Sequence, residues 1–128
     1  MKIVIAGIGE AGTELIRRLA GDDYDITVID SDPAKLEAIT DEFNVNGVNG
    51  SAASRQTLLQ AGIESADIFV ALTPSDETNL LSCMQAKSAG ARRTAARLQL
   101  SDLAAETDEI KKEYDIDGIV CTMVDLAE

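Results

Sequence analysis

Residues 7–12 read Gly-Ile-Gly-Glu-Ala-Gly, three glycines in a GxGxxG pattern. They follow the apolar run Ile3-Val4-Ile5-Ala6 and open a helical pattern in which Ala11, Leu15 and Leu19 share a face. A second apolar run, Ile26 to Ile29, ends in Asp30, 18 residues after Gly12. Strand, glycine turn, helix, strand and acid, in that order, form a parallel βαβ unit whose turn accepts a dinucleotide. The competing reading is a tight strand-to-helix turn that binds nothing.

The rest of the chain repeats the same alternation. Asp32 and Pro33 start a second helix, as N-cap and first helical residue, with Leu36, Ile39 and Phe43 along one face. Residues 44–50 read as a weak strand entering a turn, and a short helix runs from Ser54 to Ala61, stopped by Gly62. Ile68 to Leu72 is apolar throughout, as a strand buried on both faces requires. A long helix is expected from Asp76 to Ala89, with Leu80, Met84 and Lys87/Ser88 turned inward and Gly90 as its stop. Thr94 to Leu98 reads as a strand. Ser101 caps a further helix carrying Leu103, Thr107, Ile110 and Tyr114, Ile119 to Cys121 forms a last strand, and another helix could begin at Val124. Six strands alternating with five helices predict an α/β fold, a doubly wound Rossmann-type parallel sheet in the order 3-2-1-4-5-6 with helices on both faces.

One domain over residues 1–128 is expected, whether a piece of a longer regulator or a subunit in its own right. Acids outnumber bases 23 to 11, a net charge of −12, so nucleic acid and anionic lipid surfaces are repelled. The longest apolar runs are too short to span a bilayer, so no direct membrane insertion is expected, and the acidic charge fits a soluble cytoplasmic protein or one adapted to high salt. Cys83 and Cys121 lie 38 residues apart and form no metal-binding spacing, so each reads as a small buried residue. There is no histidine, which removes the commonest general base and metal ligand.

In such a sheet a ligand sits beyond the carboxyl ends of the strands, where the order reverses between the first and fourth. Gly7 permits the turn, Gly9 lets a pyrophosphate approach, and Gly12 lets the helix pack on the strand. The amides of Ile8, Gly9, Glu10 and Ala11 are expected to point at phosphate, aided by the helix dipole. Asp30 suits the ribose hydroxyls and repels a 2′-phosphate, favouring NAD or NADH over NADP. The alternative for Asp30 is a strand-end carboxylate or helix cap. Glu10 disfavours a free triphosphate more than a bridged pyrophosphate. Thr73 and Pro74 end the fourth strand beside the glycine loop, so their backbone should flank the ligand; Thr73 could instead cap the next helix. Arg97 either supplies positive charge to the phosphates or forms a surface ion pair.

With these residues in place, the chain resembles the nucleotide-binding N-terminal domain of Trk-type potassium uptake regulators, the TrkA-N (KTN or RCK-N) family. The opening Lys2 to Gly12 and Asp25-Ile-Thr-Val-Ile-Asp30 match the family's start. More specific are Ala71-Leu-Thr-Pro-Ser-Asp-Glu-Thr-Asn-Leu-Leu81, Ala61-Gly-Ile-Glu-Ser-Ala-Asp67 and Ala96-Arg-Leu98, a set that generic dehydrogenases lack. The resemblance implies a sensor that binds NAD(H), or ADP/ATP in relatives. It also implies a homodimer or higher oligomer on the cytoplasmic face of a membrane potassium transporter subunit, whose gating follows dimer rearrangement. The family contacts carry over to Gly7 through Gly12, Asp30, Thr73, Pro74 and Arg97. After the third strand the family usually has Gly-Asp-Ala-Thr, flanking the adenine. Here Gly50-Ser51-Ala52-Ala53 stands there, so Ser51 is the candidate contact and looser adenine recognition is expected.

Two other functions remain open from sequence. One is an NAD-dependent oxidoreductase or a truncated piece of one. It lacks histidine and a Tyr-xxx-Lys pair, since Val28 and Gly118 stand four residues after Tyr24 and Tyr114. The other is a dimerisation module whose nucleotide site has decayed.

Overall fold

The computed structural model describes residues 1–99 and 106–121. Its elements are β1 (Lys2–Ala6), α1 (Glu10–Leu19), β2 (Asp25–Asp30), α2 (Pro33–Glu42), β3 (Asn46–Asn49) and α3 (Arg55–Gln60). A 3-10 turn (Ile63–Ser65) leads into β4 (Ile68–Ala71), α4 (Asp76–Ala89), β5 (Arg93–Leu98), α5 (Thr107–Tyr114) and β6 (Gly118–Cys121). All six strands are parallel and lie in the order β3-β2-β1-β4-β5-β6, as the alternation predicts. The expected cap at Ser101, Leu103 of the helix it starts, and a helix from Val124 lie outside the described residues.

Side chains alternate between the two faces of the sheet. Ile3 and Ile5 of β1 and Ile26 and Val28 of β2 pack under α1 and α2, against Ile16, Leu36 and Ile39. Val4, Ala6, Ile29, Phe69, Ala71 and Ala96 face the other way, under α3 and α4. Helix starts obey local chemistry. Asp32 accepts the Ala34 amide at 2.9 Å with Pro33 next to it, and Ser54 and Ser75 cap α3 and α4 through the amides of Thr57 and Thr78.

Two helix faces differ from expectation. In α1, Ile16 is the fully buried residue, with Leu15 and Leu19 half-buried beside it. In α4 the inward residues are Asn79, Ser82, Cys83 and Ala86. Leu80 packs at the margin, Met84 and Ser88 are exposed, and Lys87 reaches the Arg92 carbonyl and Asp117. The reason is spatial. α4 lies close on β4 and β5, so small and hydrogen-bonded side chains fit beneath it and the larger Leu81 and Met84 are left outside.

Candidate functional site

A cleft of about 600 Å³ opens beyond the carboxyl ends of β1, β2, β3 and β4. That volume falls within the roughly 300–1,000 Å³ of small-molecule and cofactor sites. Its floor is the glycine turn. Gly7 has φ +96°, and a Cβ there would stand 2.8 Å from the backbone of Leu72 and Thr73. A Cβ on Gly12 would overlap the Gly7 carbonyl, so α1 comes as close to β1 as a glycine allows. Gly9 is different in kind: a Cβ there meets nothing within 4 Å. Gly7 and Gly12 therefore serve the fold, while Gly9 keeps open space above the turn.

Gly9 is the N-cap of α1 and makes no side-chain cap. The amides of the first turn, at Glu10, Ala11 and Gly12, have no intrahelical partner there, and the helix dipole adds partial positive charge. The Ile8 amide behaves otherwise. It donates to Oδ2 of Asp30 at 2.8 Å, which corrects the expectation that it points at a ligand. Oδ1 of Asp30 accepts the Asp32 amide at 2.9 Å. The carboxylate is thereby locked between β1 and α2, and each oxygen keeps a lone pair for another donor. Asp30 is thus both a strand-end anchor and a cleft residue, where the sequence offered these as alternatives.

Thr73, Pro74 and Ser51 also form the wall; Glu10, Ala11, Gly12 and Arg97 do not. Thr73 is held from behind. Oδ1 of Asn79 accepts its amide at 3.0 Å and its hydroxyl at 2.7 Å, and Nδ2 of Asn79 donates to its carbonyl at 3.0 Å. Nη2 of Arg97 donates to the same carbonyl at 2.9 Å. Among the described residues Arg97 forms no ion pair, and its buried Nε has no partner. The guanidinium here braces the loop between β4 and α4. Both oxygens of Asp76, a residue 4% exposed, accept the Gln99 amide at 2.9 and 3.1 Å and fasten the start of α4 to the end of β5.

Sequence reasoning quoted Asp76 and Asn79 within a motif but gave them no role, and it missed Lys35. Lys35 is the third residue of α2 and the single base in the wall, which also holds the acids Asp30 and Asp32. Its position in the first turns of the helix after Asp30 was the available signal. The cleft has no basic field, so an anion there depends on amide donors and the α1 terminus.

The architecture defines a Rossmann-type domain with a cleft at the switch between β1 and β4. The chain belongs to the TrkA-N domain family, whose model matches residues 3–121. It is 38% identical over its whole length to a Trk system potassium uptake protein TrkA homolog of Archaeoglobus fulgidus, covering 29% of that protein. It is 34% identical over 88% of its length to the Trk system potassium uptake protein TrkA of Vibrio alginolyticus, covering 25% of it. The chain therefore spans under a third of the length of these two relatives. Among solved structures, the TrkA-N domain of the inner membrane protein ybaL of Escherichia coli superposes with TM-score 0.85 at 20% identity, over 98% of this chain and 90% of that one. The GsuK channel bound to NAD superposes with TM-score 0.77 at 20% identity, over 93% of this chain and 21% of that one. The Kef CTD of Shewanella denitrificans in AMP-bound form gives 0.78 at 19% identity, over 99% and 75%. These structural likenesses extend the fold.

Proposed function

We propose that this domain is a nucleotide sensor of a potassium uptake system, binding NAD or NADH in the cleft and changing how its subunits meet. The observation that carries the reading is the pairing of an unobstructed Gly9 with an amide-locked Asp30 across one cleft. The first-turn amides of α1 suit the pyrophosphate, and the spare lone pairs of Asp30 suit the ribose hydroxyls. ADP and ATP fit the same path. A 2′-phosphate would meet the Asp30 carboxylate, so NADP fits least.

The relatives' names connect the reading to potassium uptake, and the NAD and AMP structures show nucleotides bound by neighbours of the same fold. The domain works without catalysis, as a cytoplasmic homodimer or larger assembly on a membrane transporter subunit. Its ligand acts by binding two arrangements of that assembly unequally.

A melting scan with NADH, NAD, ADP, ATP and NADPH tests this. A ligand at 100 times its Kd adds about 2.7 kcal/mol of stability. NADH or NAD should raise Tm most, and NADPH least. No shift with any of them at millimolar concentration would leave a dimerisation module with a decayed site. Turnover of NADH with a carbonyl substrate would make the domain an oxidoreductase instead.

A further inference from the structure

Two points of the proposed site set the path of a nucleotide, and they run in strand order. Phosphate belongs at the N-terminus of α1, after β1, and ribose at Asp30, after β2. The base then falls beyond β3, where Gly50, Ser51 and Ala52 form the wall.

Ser51 is the exposed polar side chain of that loop. Its Oγ accepts the Ala53 amide at 3.1 Å. A hydroxyl has one proton and two lone pairs, so the proton and one lone pair remain. The loop itself is anchored. Ala52 is 5% exposed in the core, Ser54 caps α3, and Nε2 of Gln85 on α4 donates to the Ala53 carbonyl. The oxygen is thus held in place while the proton is free to turn.

We propose that Ser51 makes the base end of the cleft indifferent to the group at purine position 6, so that the domain takes 6-oxopurine nucleotides as well as 6-aminopurine ones. The proposal rests on the reading that a purine nucleotide occupies the cleft. A carboxylate at position 51 could only accept a hydrogen bond, which favours a 6-amino group and faces a 6-oxo group with like polarity. Sites of that kind discriminate strongly, because the wrong ligand strands a polar group. The Ser51 hydroxyl accepts from an amino group or donates to an oxo group and is stranded by neither. Asp32, another polar group of the wall beside Ser31 and Lys35, is engaged through Oδ1 as the cap of α2 and keeps Oδ2.

The test titrates the whole chain with NADH and with reduced nicotinamide hypoxanthine dinucleotide, which differ in the 6-substituent and in the N1 proton that accompanies the oxo form, and repeats it with ADP and IDP. The two Kd values of each pair should agree within about threefold. Ser51→Asp should then prefer the amino ligand at least about tenfold, with the Tm of the unliganded protein unchanged. Ser51→Ala, the variant to use if Ser51→Asp does not fold, should weaken both ligands of a pair by the same factor. A wild-type preference above tenfold for the amino ligand overturns the proposal, and its loss in Asp32→Asn would move base reading to Asp32. A ratio unchanged by Ser51→Asp, or a loss confined to one ligand in Ser51→Ala, also overturns it. Binding of none of the four ligands would overturn the nucleotide reading itself, whereas adenine-only binding overturns this proposal alone.

Discussion

Nδ2 of Asn79 donates to the main-chain carbonyl of Arg97 at 2.8 Å, while Nη2 of Arg97 donates to the carbonyl of Thr73. Asn79 closes the triangle through its bonds to Thr73. One side chain, 0% exposed, therefore sets the distance between the cleft loop after β4 and the end of β5.

Replacing Asn79 with Leu keeps the bulk and removes the side-chain partner of the Thr73 amide and of the Arg97 carbonyl, while the Thr73 carbonyl keeps the Arg97 guanidinium. Each buried group so stranded costs about 1–3 kcal/mol. Asn79→Leu should lose about 3 kcal/mol of stability in urea unfolding at pH 7, and it should weaken nucleotide binding in the folded fraction. A loss under about 1 kcal/mol would mean that water replaces the side chain.

The glycines separate folding from binding. Gly9→Ala places a methyl group in open space at φ −87°, so Tm should stay within about 2 °C of the parent. The same methyl intrudes where a pyrophosphate would approach, and NADH affinity should fall at least about tenfold. Gly12→Ala drives its methyl into the Gly7 carbonyl and should abolish cooperative unfolding in circular dichroism.

Lys87 and Asp117 meet at 2.8 Å and tie α4 to the approach of β6, where Asp117 also accepts the Thr94 amide. The Lys87 ammonium, followed by the Thr94 amide, holds the Asp117 carboxyl below its ordinary value of 3.8. A lowered folded-state pKa adds stability that is fully present above the unfolded value and is lost as pH falls through the folded one. Asp117→Asn should therefore be less stable than the parent at pH 7. The gap should close on acidification below about pH 4, as urea midpoints across that range would show.

Cys83 sits at 0% exposure on the inner face of α4, and burial raises its thiol pKa to about 12. The thiol therefore stays protonated at pH 8, and the thiolate is the reactive form. In a Cys121→Ser background the native protein should give no reaction with a thiol reagent at pH 8 within an hour. It should give one full equivalent in urea. Rapid labelling of the native form would show that α4 opens locally.

The sheet order was legible because apolar runs and helical periods alternate without a break, and parallel strands demand such crossovers. Gly7, Gly12 and Asp30 were legible because their spacing follows from the turn. The inward face of α4 was not. Hydrophobicity ranks Leu81 and Met84 above Asn79 and Ser82, whereas the contact with β4 and β5 selects for small size and hydrogen bonds. The partners of Arg97 and of the Ile8 amide were hidden for a similar reason. Arg97 meets the Thr73 carbonyl and the Ile8 amide meets the Asp30 carboxylate, partners brought near only by the fold.

The strand order has a consequence for synthesis. β1 lies at the centre of the sheet, with β2 on one side and β4 on the other, Ile3 opposite Ile68. As the chain leaves the ribosome, β1, β2 and β3 can pair early, yet the other edge of β1 stays bare until β4 is made. For that interval the most apolar strand of the first half is a sticky margin, exposed to neighbouring nascent chains. The same half carries the complete glycine turn and Asp30, so an early nucleotide could steady the half-sheet before its remaining strands arrive.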